Sequence, residues 1–212
     1  MKKFYPILII LIIIASLLFF KEAKKASTIT VKHSGTPLIS ETQAFIPIYK
    51  EDKMYGNPGA EVTVITFTDF NCKKCSQIHK ELIALIDKSP SKIRLVWKGF
   101  PQTKLFSETF NIPHVASYCA DLQNMFWPYV NKAMLDNNLT DGDLDKIAVD
   151  LKLNQNSFLT CKSLAVSSVA TSTAIAKQFG IKKLPVVFIN NYYVNTDENI
   201  SITDLVKNFI KE

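Results

Sequence analysis

The chain has 212 residues, of which 47% are hydrophobic and 21% are charged, a balance that excludes wholesale disorder and low-complexity arrays. Its length allows one domain with extensions rather than two full domains. Without Lys2 and Lys3, which belong to an apolar N-terminal segment, 23 basic side chains face 19 acidic ones, an excess too small to indicate nucleic-acid binding.

The N-terminal segment is typical of a membrane signal. An almost continuous apolar run from Phe4 to Phe20, flanked by lysines, is longer than the apolar part of most cleavable signals and has no clear cleavage site. We therefore predict a signal anchor over residues 1–25, with a cleaved signal peptide as the alternative. We interpret residues 26–55 as a tether and lead-in to the folded domain, with one short strand-like run at Phe45–Tyr49.

A Gly-Asn-Pro-Gly turn signal begins the predicted folded domain, residues 56–212. The β-branched run Val62–Phe67 predicts a buried strand, and apolar spacings of three and four predict a helix that begins near Cys72 and ends before Pro90. Ile93–Trp97 predicts a second strand. Strand, helix and strand in this order indicate a βαβ unit with parallel strands.

Residues 102–179 contain no convincing strand and are predicted to form a helical insert. The helices predicted within it are Val115–Leu122, Tyr129–Leu135, Asp143–Leu151 and Asn156–Gln178. Strand signals return at Val186–Ile189 and Tyr192–Val194, and an amphipathic helix follows them. The fold class is therefore α/β, with a sheet that resumes after the helices.

Cys72 and Cys75 lie where a predicted strand gives way to a predicted helix. The unpaired N–H groups and partial positive charge of a helix start stabilise a thiolate, so the pKa of Cys72 should fall below the usual value of about 8.5. Lys73 and Lys74 add redox-tuning positive charge, and stabilising the reduced form makes the pair more oxidising. We predict that Cys72 is the nucleophile and that Cys75 resolves mixed disulfides.

Two other uses of this cysteine pair stay open: half of a four-cysteine zinc site, or a structural disulfide. Cys119 and Cys161 form no second C-x-x-C, so the pattern favours redox chemistry over zinc. His33, His79 and His114 show no metal-ligand spacing, and no metal site is predicted. His79, one helical turn after the pair, is positioned either to tune it electrostatically or to pack in the core.

Three motifs follow one another along the chain. They are Phe67-Thr68-Asp69-Phe70-Asn71-Cys72-Lys73-Lys74-Cys75, Trp97-Lys98-Gly99-Phe100-Pro101 and Gly180-Ile181-Lys182-Lys183-Leu184-Pro185-Val186-Val187-Phe188-Ile189. In this order they resemble the DsbA-like thiol:disulfide oxidoreductases of the thioredoxin superfamily, in the membrane-linked branch with a helical insert. The resemblance implies a thioredoxin fold whose helical domain is inserted between the second core strand and the cis-proline strand. It implies that Pro185 follows a cis peptide bond and, with Leu184, helps to bind substrate peptide.

The resemblance also implies a function. We expect an exported enzyme that introduces disulfide bonds into reduced or misfolded client proteins, needs no cofactor and is reoxidised by a membrane redox partner. It would be anchored to the cytoplasmic membrane of a bacterial cell envelope, with its domain on the periplasmic or extracellular side, or secreted if the signal is cleaved. A reductase or isomerase that uses the same pair, and a non-catalytic peptide-binding module, are the alternatives.

Relatives in this branch often join two cysteines of the insert, which implies a structural disulfide between Cys119 and Cys161. Two separately buried thiols are the alternative. The chain departs from the family at the Lys73-Lys74 pair, where Pro-His or Pro-Tyr is common. It also has Thr66 where an acidic residue often lies beneath the site, and Leu184 where Val or Thr is common. These departures leave the redox direction open.

Overall fold

The structure is a computed structural model that describes residues 39–102, 111–164, 170–196 and 201–210. The predicted anchor, residues 1–25, lies outside the described residues. Within the described ranges, no helix is both long enough and apolar enough to cross a membrane.

Six described strands form one sheet in the order β1-β6-β5-β3-β4-β2. They are β1 (Ile39–Gln43), β2 (Lys53–Gly56), β3 (Val62–Thr68), β4 (Ile93–Gly99), β5 (Val186–Ile189) and β6 (Tyr192–Val194). β3 and β4 pair in parallel, with Val64 opposite Leu95, which confirms the predicted βαβ unit. β5 runs antiparallel to β3 and places Ile189 opposite Val64.

The described helices are α1 (Lys73–Lys88), α2 (Ile112–Asp121), α3 (Phe126–Ala133), α4 (Asp141–Asp150), α5 (Gln155–Leu164), α6 (Ala170–Gln178) and α7 (Ile202–Lys207). Helices α2 to α6 lie between β4 and β5, which confirms the predicted helical insertion before the strand that follows Pro185. The helix predicted over Asn156–Gln178 is described as α5 and α6, and residues 165–169 between them lie outside the described residues.

Alternate residues of β3 face two apolar layers. Val62 and Val64 pack in one layer with residues of α1 and α7. Ile65 and Phe67 pack in the other layer, which includes Ile175 of α6. Because both faces of the central strands are covered, β3 and β4 are apolar along most of their length, and this is why the sequence predicted them well.

The strand-like run Phe45–Tyr49 of the lead-in is not a strand, and that prediction is wrong. Pro47 has no N–H for a strand hydrogen bond, and the chain there buries Ile46 while leaving Phe45 exposed. The strands of this region lie on either side of it: β1 pairs with β6, and β2 with β4. The sheet therefore begins before residue 56, the predicted start of the domain.

The helical insert has an apolar cluster of its own. Tyr129 of α3 and Phe158 of α5 are fully buried within it, and the Tyr129 hydroxyl donates a hydrogen bond to the Leu144 carbonyl at 2.9 Å. The Thr140 side chain caps the start of α4, where it accepts a hydrogen bond from the Asp143 N–H. Phe70 and Cys75 belong to the same cluster, so the insert packs directly against the cysteine pair.

Candidate active site

The cysteine pair forms the first turn of α1. Cys72 is the N-cap residue, with extended backbone, and its Sγ accepts a hydrogen bond from the Cys75 backbone N–H at 3.1 Å. The two residues are joined by a disulfide, with their Cα atoms 5.1 Å apart. Cys75 is only 1% exposed, whereas Cys72 is half-buried. Cys72 is therefore the member of the pair that an incoming thiol can reach.

Positive charge surrounds Cys72. Lys73 is exposed and Lys74 is partly exposed, and the first turn of α1 has no acidic residue. The start of α1 adds unpaired N–H groups and the positive end of the helix dipole. These features stabilise a thiolate on Cys72 when the pair is reduced. The two predicted tuning lysines thus lie next to the reacting sulfur.

A cleft of about 860 Å³ opens beside Cys72. Leu184 lines it, and the peptide bond between Leu184 and Pro185 is cis. Pro185 is partly buried directly before β5. The structure therefore brings the predicted substrate-binding segment to the side of the cleft where the cysteine pair lies. Its wall also includes Asn71, Gln102, Ile112, Pro113, Asn137, Leu139, Lys182 and Lys183.

A buried polar pair lies next to this site, and the sequence analysis missed it. Asp69 and His114 are both 1% exposed, and His114 Nε2 lies 3.1 Å from Asp69 Oδ1. The other carboxylate oxygen, Oδ2, accepts a hydrogen bond from the Gln102 backbone N–H at 2.9 Å. The Asp69 carbonyl accepts a hydrogen bond from the Cys72 N–H at 3.3 Å. Asp69 therefore links the cysteine turn to the loop after β4 and to α2.

One signal could have identified Asp69. It is an acidic residue placed directly after an apolar strand and three residues before Cys72, inside the motif that carried the resemblance. Thr66, at the position where relatives often have an acid, is buried on β3 between Trp97 of β4 and Val187 of β5. The buried carboxylate of Asp69 thus lies just after the strand rather than in its middle.

His79 packs in the core behind the cysteine pair. Its Nε2 lies 2.8 Å from Asn131 Oδ1, and its ring meets Trp97 edge-on and stacks at 6.4 Å on Trp127. Burial lowers the pKa of His79 from 6.5 to about 4, so the ring is neutral near pH 7. A neutral ring adds no charge near Cys72, and the core interpretation of His79 is therefore the correct one.

Cys119 of α2 and Cys161 of α5 are joined by a second disulfide, with their Cα atoms 5.7 Å apart. Cys119 is 1% exposed and belongs to the apolar cluster of the insert, against which Cys161 packs. All four cysteines of the chain are thus in disulfides. Among the described residues, no group of three or more His, Cys, Asp and Glu side chains could hold a metal ion.

Comparison with known proteins identifies the class. A family model described as "Thioredoxin" matches residues 49–211, most of the chain. The chain belongs to this thioredoxin family, and a disulfide joins the two cysteines of its C-x-x-C motif. The resemblance stated from the sequence motifs is confirmed at this level.

Particular solved structures share this fold. BdbD from Bacillus subtilis, in oxidised form, has a TM-score of 0.63 at 18% identity and covers 78% of this chain and 96% of its own. A single-residue variant of α-DsbA1 from Wolbachia pipientis has a TM-score of 0.61 at 18% identity, covering 77% and 92%. A periplasmic thioredoxin-like protein from Salmonella enterica serovar Typhimurium has a TM-score of 0.58 at 17% identity, covering 75% and 87%.

One curated relative also matches. Na(+)/H(+) antiporter NhaA 1 of Mycolicibacterium gilvum is 23% identical over 146 residues, which is 66% of this chain. The match covers only 24% of that relative's own length.

Proposed function

We propose that this chain donates its Cys72–Cys75 disulfide to reduced client proteins outside the cytoplasm. The observation that carries the proposal is the oxidised pair at the start of α1, with a half-buried Cys72 beside an open cleft and two lysines next to it. A helix start and neighbouring cations stabilise the Cys72 thiolate, and a disulfide whose reduced form is stabilised is a strong oxidant.

The reaction transfers two electrons. A client thiolate attacks Cys72 Sγ, the Cys72–Cys75 bond breaks, and Cys75 leaves as a thiolate that takes up a proton. A second client thiolate then attacks the client sulfur of the mixed disulfide and releases the Cys72 thiolate. The client dithiol loses two electrons and two protons and becomes a disulfide, and the enzyme pair becomes a dithiol.

The surroundings of each sulfur suit these steps. The Cys75 N–H, which donates to Cys72 Sγ at 3.1 Å, stabilises negative charge on Cys72 when that sulfur leaves the mixed disulfide. Leu184, which lines the cleft together with Cys72, supplies an apolar surface against which an extended client segment packs. Because Cys75 is buried, client thiols attack Cys72 rather than Cys75.

The cellular setting follows from the same chemistry. Catalytic disulfides persist in oxidising compartments, and the N-terminal apolar segment is suited to anchoring an exported domain. The Salmonella protein of similar fold is described as periplasmic. We therefore place the clients among exported proteins. A membrane redox partner that accepts electrons from the reduced pair would complete the cycle.

The experiment mixes the oxidised full-length chain with an equal amount of a reduced two-cysteine peptide and follows both by alkylation and mass spectrometry. We expect the peptide to become a disulfide while Cys72 and Cys75 become alkylatable. A peptide that stays reduced, with rapid reduction of an oxidised peptide by the reduced chain, would instead identify a reductase. No exchange in either direction would leave a peptide-binding module.

A further inference from the structure

Two lysines follow Cys72 on α1, and two more line the cleft beside it. Lys73 and Lys74 follow the sulfur on α1. Lys182 and Lys183 line the cleft next to Leu184, and both are exposed. A client segment that enters the cleft to form the mixed disulfide would therefore meet the two exposed lysines beside Leu184.

The two carboxylates that line the cleft contact side chains other than these lysines. Asp69 is buried and hydrogen-bonded to His114 and Gln102. Asp141, at the start of α4, forms an ion pair with Lys162 at 2.6 Å. Within the described ranges, no ion pair joins Lys73, Lys74, Lys182 or Lys183 to an acidic side chain. Of the charged side chains that line the described cleft, Lys182 and Lys183 are therefore the two outside any ion pair.

We propose that this enzyme selects client cysteines that have acidic residues close to them in sequence. The inference rests on the proposed disulfide transfer and names the client class that the cleft fits. An extended client advances by about 3.3 Å per residue, so side chains one or two positions from its cysteine lie near the cleft lysines. Charge of one sign at a cleft concentrates oppositely charged ligands and raises association rates, by tenfold or more where no opposite charge offsets it.

The positive charge raises the rate at which an acidic client meets the enzyme and stabilises the mixed disulfide. It does not change the number of electrons that are transferred. The client dithiol still gives two electrons and two protons to the Cys72–Cys75 pair, as in the reaction above. Interactions between exposed charges are screened within about 10 Å at 0.1 M salt. The selectivity for acidic clients should therefore be largest at low ionic strength and should decline as salt is added.

Lys182 and Lys183 are the residues to change. Lys73 and Lys74 lie next to the reacting sulfur, so replacing them would also alter the redox reaction. The test variant is Lys182→Gln with Lys183→Gln. The matched control is Lys88→Gln with Lys207→Gln, which removes the same charge from two exposed lysines. Lys88 is in the last turn of α1, about 22 Å along the helix from its start.

The experiment uses the oxidised full-length chain and three reduced two-cysteine peptides that differ only in having two Glu, two Gln or two Lys beside the first cysteine. The rate constant for reduction of Cys72–Cys75 is measured at low and at high salt. We expect the Glu peptide to react about tenfold faster than the Lys peptide at low salt. The Lys182/Lys183 variant should reduce this ratio to about threefold, and the Lys88/Lys207 control should keep it.

Equal ratios in the two variants would overturn the proposal, and so would equal rates for the three peptides. Because each variant is compared with the same peptides, differences in intrinsic thiol reactivity cancel. The Gln peptide separates this inference from the proposed function. If it reacts while the charge of the peptide has no effect, only the acidic preference fails. If no peptide reacts, the disulfide transfer itself fails.

Discussion

The two disulfides of this chain lie in contrasting surroundings. Cys72–Cys75 joins residues three apart at a helix start, beside an open cleft and next to lysines. Cys119–Cys161 joins residues 42 apart, between two helices and against the apolar cluster of the insert. The same bond can thus serve as a reagent or as a crosslink, and its access to thiols and the charge around its sulfurs decide which.

The two regions are also connected. α2 carries both Cys119 and His114, and His114 contacts Asp69 at the end of β3. Asp69 in turn accepts the hydrogen bond from the Cys72 N–H. The crosslinked insert therefore supports the turn in which the reactive cysteine lies, through one buried polar pair.

The largest expected effect is on disulfide transfer. Cys72→Ser removes the sulfur that the client attacks, and the rate of peptide oxidation should fall by more than about a thousandfold. The Cys119→Ser, Cys161→Ser double variant should keep transfer within a fewfold of the unaltered chain at a temperature where it is folded. An equal loss of transfer in both variants would abolish the distinction between the two disulfides.

The effect on the free energy of unfolding should be the reverse, with the Cys119–Cys161 disulfide contributing more than the Cys72–Cys75 disulfide. In the chain-entropy treatment, a crosslink over 42 residues contributes roughly 4 kcal/mol, and one over three residues contributes less than about 2 kcal/mol. Urea unfolding of the Cys119→Ser, Cys161→Ser variant should therefore give a much lower free energy of unfolding than that of Cys72→Ser, Cys75→Ser. A lower free energy of unfolding for the Cys72/Cys75 variant would mean that the Cys119–Cys161 bond is not the main stabilising crosslink.

The free energy of unfolding should depend on pH through protonation of His79, which lies in the core behind the active site. Burial lowers its folded pKa to about 4, so below about pH 6.5 the unfolded state binds a proton that the folded state does not. The contribution of His79 to stability is complete above about pH 6.5. It should fall by up to about 3 kcal/mol as the pH decreases towards 4.

Urea unfolding at several pH values checks this prediction, with His79→Gln as the comparison. The variant should lose the part of the pH dependence that lies between about 6.5 and 4. Identical pH slopes for the two proteins would show that His79 does not titrate as its burial implies. Between pH 7 and 8 the variant should leave the pH profile of peptide oxidation unchanged, because the ring is neutral there.

The smallest effect concerns the connection between the two regions. Asp69→Ala removes the acceptor of the His114 and Gln102 hydrogen bonds and should lower the free energy of unfolding by about 2 kcal/mol. Asp69→Asn keeps the shape and one acceptor oxygen and should cost less than about 1 kcal/mol. If the two variants are equally stable in urea, these hydrogen bonds do not tie the turn to the insert.

The sequence predicts the parts of this molecule that local patterns encode. The central strands are apolar runs, the α1 helix has regular apolar spacing, and the cysteine pair lies at their junction. The edge strands β1 and β2 were missed because short edge strands are exposed on one side and have weak apolar patterns. Phe45–Tyr49 was predicted in their place.

The Asp69–His114 pair was missed for a different reason. Its residues are 45 positions apart, and only the packing of α2 against the end of β3 brings them together. Nothing in a periodic pattern marks such a pair. Leu184 was predicted near the site only because the ordered set of motifs resembled a family and so supplied the long-range relation that local patterns lack.

The measurement that tests the central claim most directly is a redox titration of the full-length chain against glutathione, with each disulfide followed separately by alkylation and peptide mapping. We expect Cys72–Cys75 to titrate near the oxidising end, at about −120 to −180 mV, while Cys119–Cys161 stays oxidised to below about −300 mV. If the two disulfides reduce together, or if Cys72–Cys75 titrates near the −270 mV or so of thioredoxin, the account of an oxidising reagent beside a structural crosslink is wrong.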